Sequence, residues 1–319
     1  MAVINETQVN RPVKQRTANQ RKRSETLAFY AFISPWLIGF IFLTAGPMIA
    51  TLGLSFTYYD LASPPTWAGL DNYTHAFSDP DFWQSLKVTG LFVLFYLPLS
   101  IVLGLLIAIL MNQNIKGIAF FRTIYYMPVV VPSVASAVLW LWIFHPSRGL
   151  LNNALGAVGV PKSEWPYWFL DPNWALPAII IMSLWGVGSG MIIYLAGLKA
   201  IPQNLYEAAS IDGANPIQRF WNITIPQLSP IIFFQVIQGL IGAFQVFAPA
   251  KILSPSGLGG PNGSTLFYVL NLYNVGFGGS HQMGYASALS WILFVIIMAC
   301  TLLVFRSSSV WVYYETERN

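Results

Sequence analysis

Apolar residues dominate this chain in six long stretches set off by short polar segments. They lie within Leu27–Leu54, Val88–Leu110, Ile124–Phe144, Trp174–Leu198, Pro230–Leu253 and Met283–Phe305. A helix needs roughly 20 apolar residues to cross the hydrocarbon core of a bilayer, so each stretch predicts one span. The expected fold is all-α: a polytopic membrane protein with six transmembrane helices. Prolines inside the stretches (Pro35, Pro47, Pro98, Pro128, Pro132, Pro177, Pro249) are tolerated as kinks in such helices. Pro35, Pro128 and Pro177 fit helix ends equally well. Aromatic pairs and triplets near the ends, such as Trp140 with Trp142, Trp165 with Trp168, and Trp311 with Tyr313 and Tyr314, suit an interfacial belt.

Composition points the same way. Of 319 residues, 55% are hydrophobic and 9% are charged, against about a quarter charged in a soluble domain. Too few charges remain to cover a water-facing surface. The first stretch is too long for a cleaved signal peptide and no small-residue cleavage site precedes Asp60.

The charges fix an orientation. Arg11, Lys14, Arg16, Arg21, Lys22 and Arg23 precede the first span, and with six spans both termini share one side. Lys116, Arg122, Lys199, Arg219, Arg306 and Arg318 fall on that side. The opposite loops hold mainly acids: Asp60, Asp71, Asp79, Asp81, Glu164 and Asp171, with Arg148 and Lys162 the exceptions. By the positive-inside rule both termini and the loops 111–122 and 199–229 are expected in the cytoplasm. The basic cluster serves orientation and attraction to anionic lipid, not nucleic acid. The expected layout is a disordered tail at 1–24, a six-helix domain at 25–306 containing the loop 199–229, and a cytoplasmic tail at 307–319. The loop 254–280, rich in Gly, Ser, Pro and Asn, is expected to be irregular and external.

Catalytic and metal chemistry find no foothold. The single cysteine, Cys300, excludes an internal disulfide. His75, His145 and His281 share no ligand spacing. The Gly-rich run Gly257–Thr265 lacks the lysine of a phosphate-binding loop. No Ser/His/Asp set or carboxylate pair sits in the spans. An ion-coupled transporter would carry intramembrane charges, and here only Lys87 and Lys251 lie near span ends.

The most informative segment is the loop between the fourth and fifth spans. Pro202 opens a short helix, Gln203–Ile211, at a favoured first-turn position. Asp212-Gly213 ends it, since glycine takes the left-handed conformation. Pro216 starts a second short helix through about Asn222. Leu205, Ile211, Phe220 and Ile223 are apolar with no bilayer to enter. The pair fits a docking element for another protein, or a hairpin packed on the bundle's own underside.

The sequence Glu207-Ala208-Ala209, three residues, Gly213, then Ile223, Pro226, Leu228 and Pro230, with Asp212, Ala214 and Phe220, resembles the EAA loop of ABC importer permeases. The likeness extends over residues 25–306. Ala68–Tyr73 with Asp79–Trp83, Phe121–Pro128, Trp140–Pro146 and Gly149–Asn152 are similar to segments of permeases of the maltose and glycerol-3-phosphate type. The resemblance implies coupling helices that insert into a cleft on an ATPase subunit. Glu207, Ala208, Ala209, Asp212, Gly213, Ala214 and Phe220 would then form the coupling surface, with Glu207 facing a basic residue. It implies further partners: a second homologous permease, two ATP-binding subunits and an external solute-binding protein. ATP and Mg would reside on those ATPase subunits, and this chain would bind no cofactor. The substrate implied is a sugar, with glycerol-3-phosphate or another small solute as the alternative.

Polar side chains within spans face the bundle interior. Gln235, Gln238 and Gln245 share a helical face and suit sugar hydroxyls. Trp185, Ser189, Tyr194, Asn271 and Tyr273 are further candidates for the substrate pathway. Interhelical hydrogen bonding would account for the same glutamines.

Overall fold

The structure, a computed structural model, describes residues 18–279 and 281–313, and the side chains of all of these but 18–21 and 24. Arg11, Lys14, Arg16, Arg318 and the Arg21 side chain, assigned above to the inner side, lie outside the described residues, as does Tyr314. The chain divides into two units, residues 1–53 and 54–319.

In the first unit, helix α1 (Ala18–Phe40) passes through one π-helical turn, Ile41–Ala45, into α2 (Gly46–Leu54). Helix therefore begins six residues before the expected end of the tail at residue 24, because Ala18 to Arg23 are mostly good helix formers. Pro35 lies inside α1 and does not end it. The π turn is a response to Pro47, which has no N–H to return to the preceding turn. Gly46 N–H instead bonds to Ile41 O, five residues back.

The second unit opens with a small antiparallel hairpin, β1 (Thr57–Tyr58) on β2 (Thr66–Trp67). Helix α3 (Asp71–Ser78) follows, then α4 (Pro80–Met111). The Asp79 carboxylate caps α4 by accepting from Asp81 N at 2.9 Å. Pro80 occupies the first turn, where a missing N–H costs nothing. Helix α4 is the central post, in contact with the fourth and fifth spans and with the segment before the last.

The third and fourth spans are broken. The expected single helix over Ile124–Phe144 is instead α5 (Ile118–Val130) and α6 (Ser133–Ile143), bent by 102°. Pro132 forces the bend. It cannot donate, and it holds Val131 extended at ψ 124°. After α7 (Leu150–Ala157), α8 (Pro172–Leu184) and α9 (Gly188–Ala200) meet at 44°. Glycine at 188 permits the approach there: a Cβ would lie 2.1 Å from the Tyr125 carbonyl oxygen of α5. Among the described residues, four helices are long and apolar enough to cross a membrane, and up to six if each bent pair forms one span.

The loop helix α10 (Gln203–Ile211) has the expected bounds. The second loop helix is not a separate element. Helix α11 (Pro216–Arg219) runs through a π-helical turn, Phe220–Thr224, straight into α12 (Ile225–Phe244). The fifth span thus starts earlier than Pro230. The π turn absorbs Pro226, and the carbonyl that Pro230 leaves free, Pro226 O, accepts from Ser229 Oγ at 2.6 Å. The helix then stops at Gln245 and resumes as α13 (Ala248–Leu253).

The segment expected to be irregular is so only up to Phe267. Helix α14 (Tyr268–Phe277) follows, held by Thr89 Oγ1 accepting from Tyr268 N at 2.9 Å and by Tyr268 Oη donating to Leu289 O at 3.0 Å. The Gly-rich part is also tied: Ser254 Oγ accepts from Gly259 N and Gly260 N, and Lys251 Nζ donates to Gly257 O at 3.0 Å. Its glycines mislead because they supply tight turns rather than freedom. The last helix, α15 (Met283–Trp311), continues past Phe305, with Phe305 and Trp311 stacking edge-on against Phe233.

One loop network carries much local stability. Asn152 is fully buried, donates to Pro146 O at 2.7 Å and Pro166 O at 3.1 Å, and accepts from Trp168 Nε1 at 2.9 Å. Asn152→Leu strands the buried Trp168 Nε1, at about 1–3 kcal/mol, and two half-buried carbonyls at less. The variant is expected to lose several kcal/mol, read as a lower melting temperature in detergent.

Candidate functional site

Two places concentrate the predicted residues. The first is the turn between α10 and α11. Gly213 sits at φ +80°, a left-handed conformation that closes α10, and Ala214 N donates back to Ala209 O at 2.9 Å. Asn215 and Gln218 form a reciprocal capping box at 2.9 and 2.8 Å that starts α11. Tyr206 Oη meets Thr224 Oγ1 at 2.9 Å, and Arg219 donates to Ser210 Oγ at 2.9 Å. These bonds lock the two helices into one rigid hook.

The hook displays an apolar tip. Ile211 is 87% exposed, Ile217 71% and Trp221 62%. Glu207, Ala208 and Asp212 are exposed beside them, while Ala209, Ala214, Phe220 and Ile223 are half-buried against the hook's own base. Ile217 and Trp221 were not singled out from sequence. They follow from the capping box: Asn215 at the N-cap puts Ile217 in the first turn. A water-facing surface rarely keeps three large apolar side chains together unless something binds there.

The second place is a cavity of about 360 Å³ between α4, the α8–α9 break and α12. Gln235 and Gln238 line it, as does Ser189, joined by Tyr96 and Ser183, which the sequence reading missed. Gly190 makes room for the amide: its Cβ would fall 2.7 Å from Gln235 Nε2. Phe92 stacks on Tyr96 with centroids 4.8 Å apart and forms part of the wall. Among the described residues, no charged side chain lines the cavity. Only an i, i+4 pairing of Phe92 with Tyr96 on the second span hinted at this face.

The remaining candidates lie elsewhere. Gln245 is exposed at the C-cap of α12, where the helix ends and the shared face with Gln238 is lost. Trp185 packs edge-on to Trp140 at 6.0 Å and lines a separate apolar cavity of about 250 Å³. Tyr194 is buried behind the cavity against Gly104. Asn271 is buried within α14, and Tyr273 packs on Phe247 beneath the Lys251 ammonium, 5.1 Å from its ring.

A bundle of broken and continuous apolar helices, a hook with an exposed apolar tip and a cavity with no charged residue in its described lining fit a membrane transport subunit. Residues 100–314 match the family of binding-protein-dependent transport system inner membrane components, and the chain belongs to that family. It is 48% identical to the probable ABC transporter permease protein YesP of Bacillus subtilis, covering 92% of this chain and 94% of that protein. It is 34% identical to the trehalose/maltose transport system permease protein MalF of Thermococcus litoralis, over 89% and 95% of the two chains. With the sn-glycerol-3-phosphate transport system permease protein UgpA of Agrobacterium fabrum it shares 35% identity, over 78% and 83%. A bacterial alginate ABC transporter, solved in complex with a periplasmic protein holding an alginate pentasaccharide, contains a chain that superposes with a TM-score of 0.75. That match has 26% identity and covers 90% of this chain and 96% of that one. The chain is thus a multi-pass permease component of an ABC importer.

Proposed function

We propose that this chain forms half of the pathway by which a neutral di- or oligosaccharide enters the cell, driven by ATP hydrolysed on partner subunits. The hook around Gly213 faces the cytoplasm and docks in a cleft of an ATPase subunit. Ile211, Ile217 and Trp221 supply the apolar contact, and Glu207 pairs with a basic residue of the partner. Both termini are cytoplasmic. An external solute-binding protein delivers the sugar to the opposite end. ATP closure moves the hooks of this chain and a second permease, and the spans rearrange because each state offers different contacts. The kinked third and fourth spans are suited to such motion, since their breaks leave fewer continuous hydrogen bonds to disrupt.

Gln235 and Gln238 bind hydroxyls from within the cavity, and Tyr96 offers an aromatic face to a pyranose ring. The uncharged lining favours a neutral sugar over glycerol-3-phosphate, although one relative carries the latter in its name. The single observation that supports the proposal most is the apolar, exposed tip of a rigid hook. The test is to purify the complex with its ATPase and measure which solute, presented with its binding protein, stimulates ATP hydrolysis. A saccharide is expected; stimulation only by a phosphorylated solute would overturn the substrate assignment.

A paired substitution tests the cavity. Gln235→Ala with Gln238→Ala removes hydrogen bonds worth about 0.5–1.5 kcal/mol each. Sugar uptake is expected to fall roughly tenfold, while the ATPase still co-purifies.

A further inference from the structure

A larger cavity, of about 620 Å³, opens at the end of the second unit where the hairpin, α3 and the first turn of α15 meet. Tyr58 and Tyr59 line it from the hairpin, Asp60 from the turn that follows, Asp71 and His75 from α3, and Tyr285 from α15. Among the described residues, two carboxylates face this space and no lysine or arginine does. The frame around it is rigid. Asn72, buried, donates to Ser55 O and Thr57 O at 2.9 Å each, Gly284 N donates to Tyr59 O at 3.2 Å, and Tyr285 Oη donates to Asp79 Oδ2 at 2.7 Å.

The carboxylates keep both charge and open lone pairs to offer. Asp60 accepts from Ser63 N at 2.8 Å and Ala62 N at 3.1 Å, bonds that hold its pKa below the usual carboxylate value. Asp71 accepts the Tyr58 hydroxyl, and Thr74 Oγ1 lies at 3.5 Å. A neutral sugar gains nothing from the net charge of two carboxylates, whereas a cationic donor pairs with that charge through the lone pairs still open on Asp60 and Asp71. Carboxylate charge and tyrosine rings together suit a cation. A bare metal ion fits poorly, because no three His, Cys, Asp or Glu side chains converge among the described residues.

We infer that this cavity is a socket for a basic side chain, an arginine or lysine, on the external solute-binding protein. The inference rests on the import reading above and on this end being the outer one. It adds to that reading the place and the chemistry of docking: a cationic knob beside the tyrosines of the cavity, drawn in by Asp60 and Asp71. Contacts of this kind govern encounter and register, and they weaken with salt.

The experiment uses the intact complex in nanodiscs and titrates sugar-loaded binding protein while ATP hydrolysis is measured. For Asp60→Asn with Asp71→Asn, the half-saturating concentration is expected to rise about tenfold at low salt. The maximal rate is expected to hold, and the difference to shrink at high salt. Asparagine retains the turn-capping oxygen, so the frame should persist. A second measurement does not depend on the double variant. With Cys300→Ser and Ser63→Cys, a benzophenone attached at position 63 is expected to cross-link to the binding protein on illumination. Equal half-saturating concentrations, or no cross-link, would overturn the socket alone, provided the parent complex responds to binding protein. A parent complex that ignores binding protein would overturn the import reading and the socket with it. Half-saturation that follows added Ca²⁺ at constant ionic strength, and loses that dependence in the double variant, would replace the socket by a metal site.

Discussion

Glu207→Lys is expected to leave the chain inserted in the membrane and to strip the ATPase from it. Glu207 is exposed on α10, and no hydrogen bond or ion pair to its side chain is found within the described chain, so its replacement removes nothing that holds the fold. Its place beside the Ile211 tip puts it at the rim of the proposed contact. A carboxylate paired across an interface and then reversed in sign costs about 2–5 kcal/mol, which is roughly 30- to several-thousand-fold in affinity. Co-purification with the ATPase would drop accordingly, and sugar uptake with it. Glu207→Gln should lie between. Normal transport by the lysine variant would show that Glu207 is not at the coupling surface.

Gly188→Ala is expected to destabilise the bundle itself. The added Cβ would fall 2.1 Å from Tyr125 O, 3.0 Å from Tyr125 C and 3.2 Å from Tyr126 Cα. All three are backbone atoms, so no side chain can swing aside. Helix α9 must separate from α5 at the point where the fourth span is broken. Such overpacking costs about 1–3 kcal/mol or more, and a melting temperature several degrees lower in detergent is the readout, at about 2–4 °C per kcal/mol. Gly90→Ala is the control: it lies within α4 with nothing within 4 Å of the new Cβ. There alanine should be neutral or slightly stabilising. Equal melting for the two variants would contradict the close packing of α5 on α9.

The membrane-spanning character of the chain was legible because it is written in long apolar runs, and the hook because Pro202, Gly213 and Pro216 punctuate it at short range. What hydropathy does not encode is where a span breaks. Pro128 and Pro132 both lie in one apolar run, yet only Pro132 bends it, since the residue before it must be extended while α5 still closes normally around Pro128. The two π-helical turns were equally invisible, because they answer prolines several residues away. The cavity was half legible. Gln235 and Gln238 face it as helical spacing predicts, but Gln245 does not, because α12 ends there. Tyr96 and Ser183 belong to other spans, and only their packing brings them to the glutamines. Asn271 lies in a segment whose glycines read as irregular but make turns that lead into a largely buried helix, so its burial is not visible in composition.

The tip of the hook is where the whole reading is most exposed to test. With Cys300→Ser and Ile211→Cys, a membrane-impermeant maleimide is expected to label inside-out vesicles but not intact cells. Adding the ATPase subunits should then protect the cysteine. Labelling from the outside of intact cells, or labelling indifferent to bound ATPase, would contradict the hook as the coupling element.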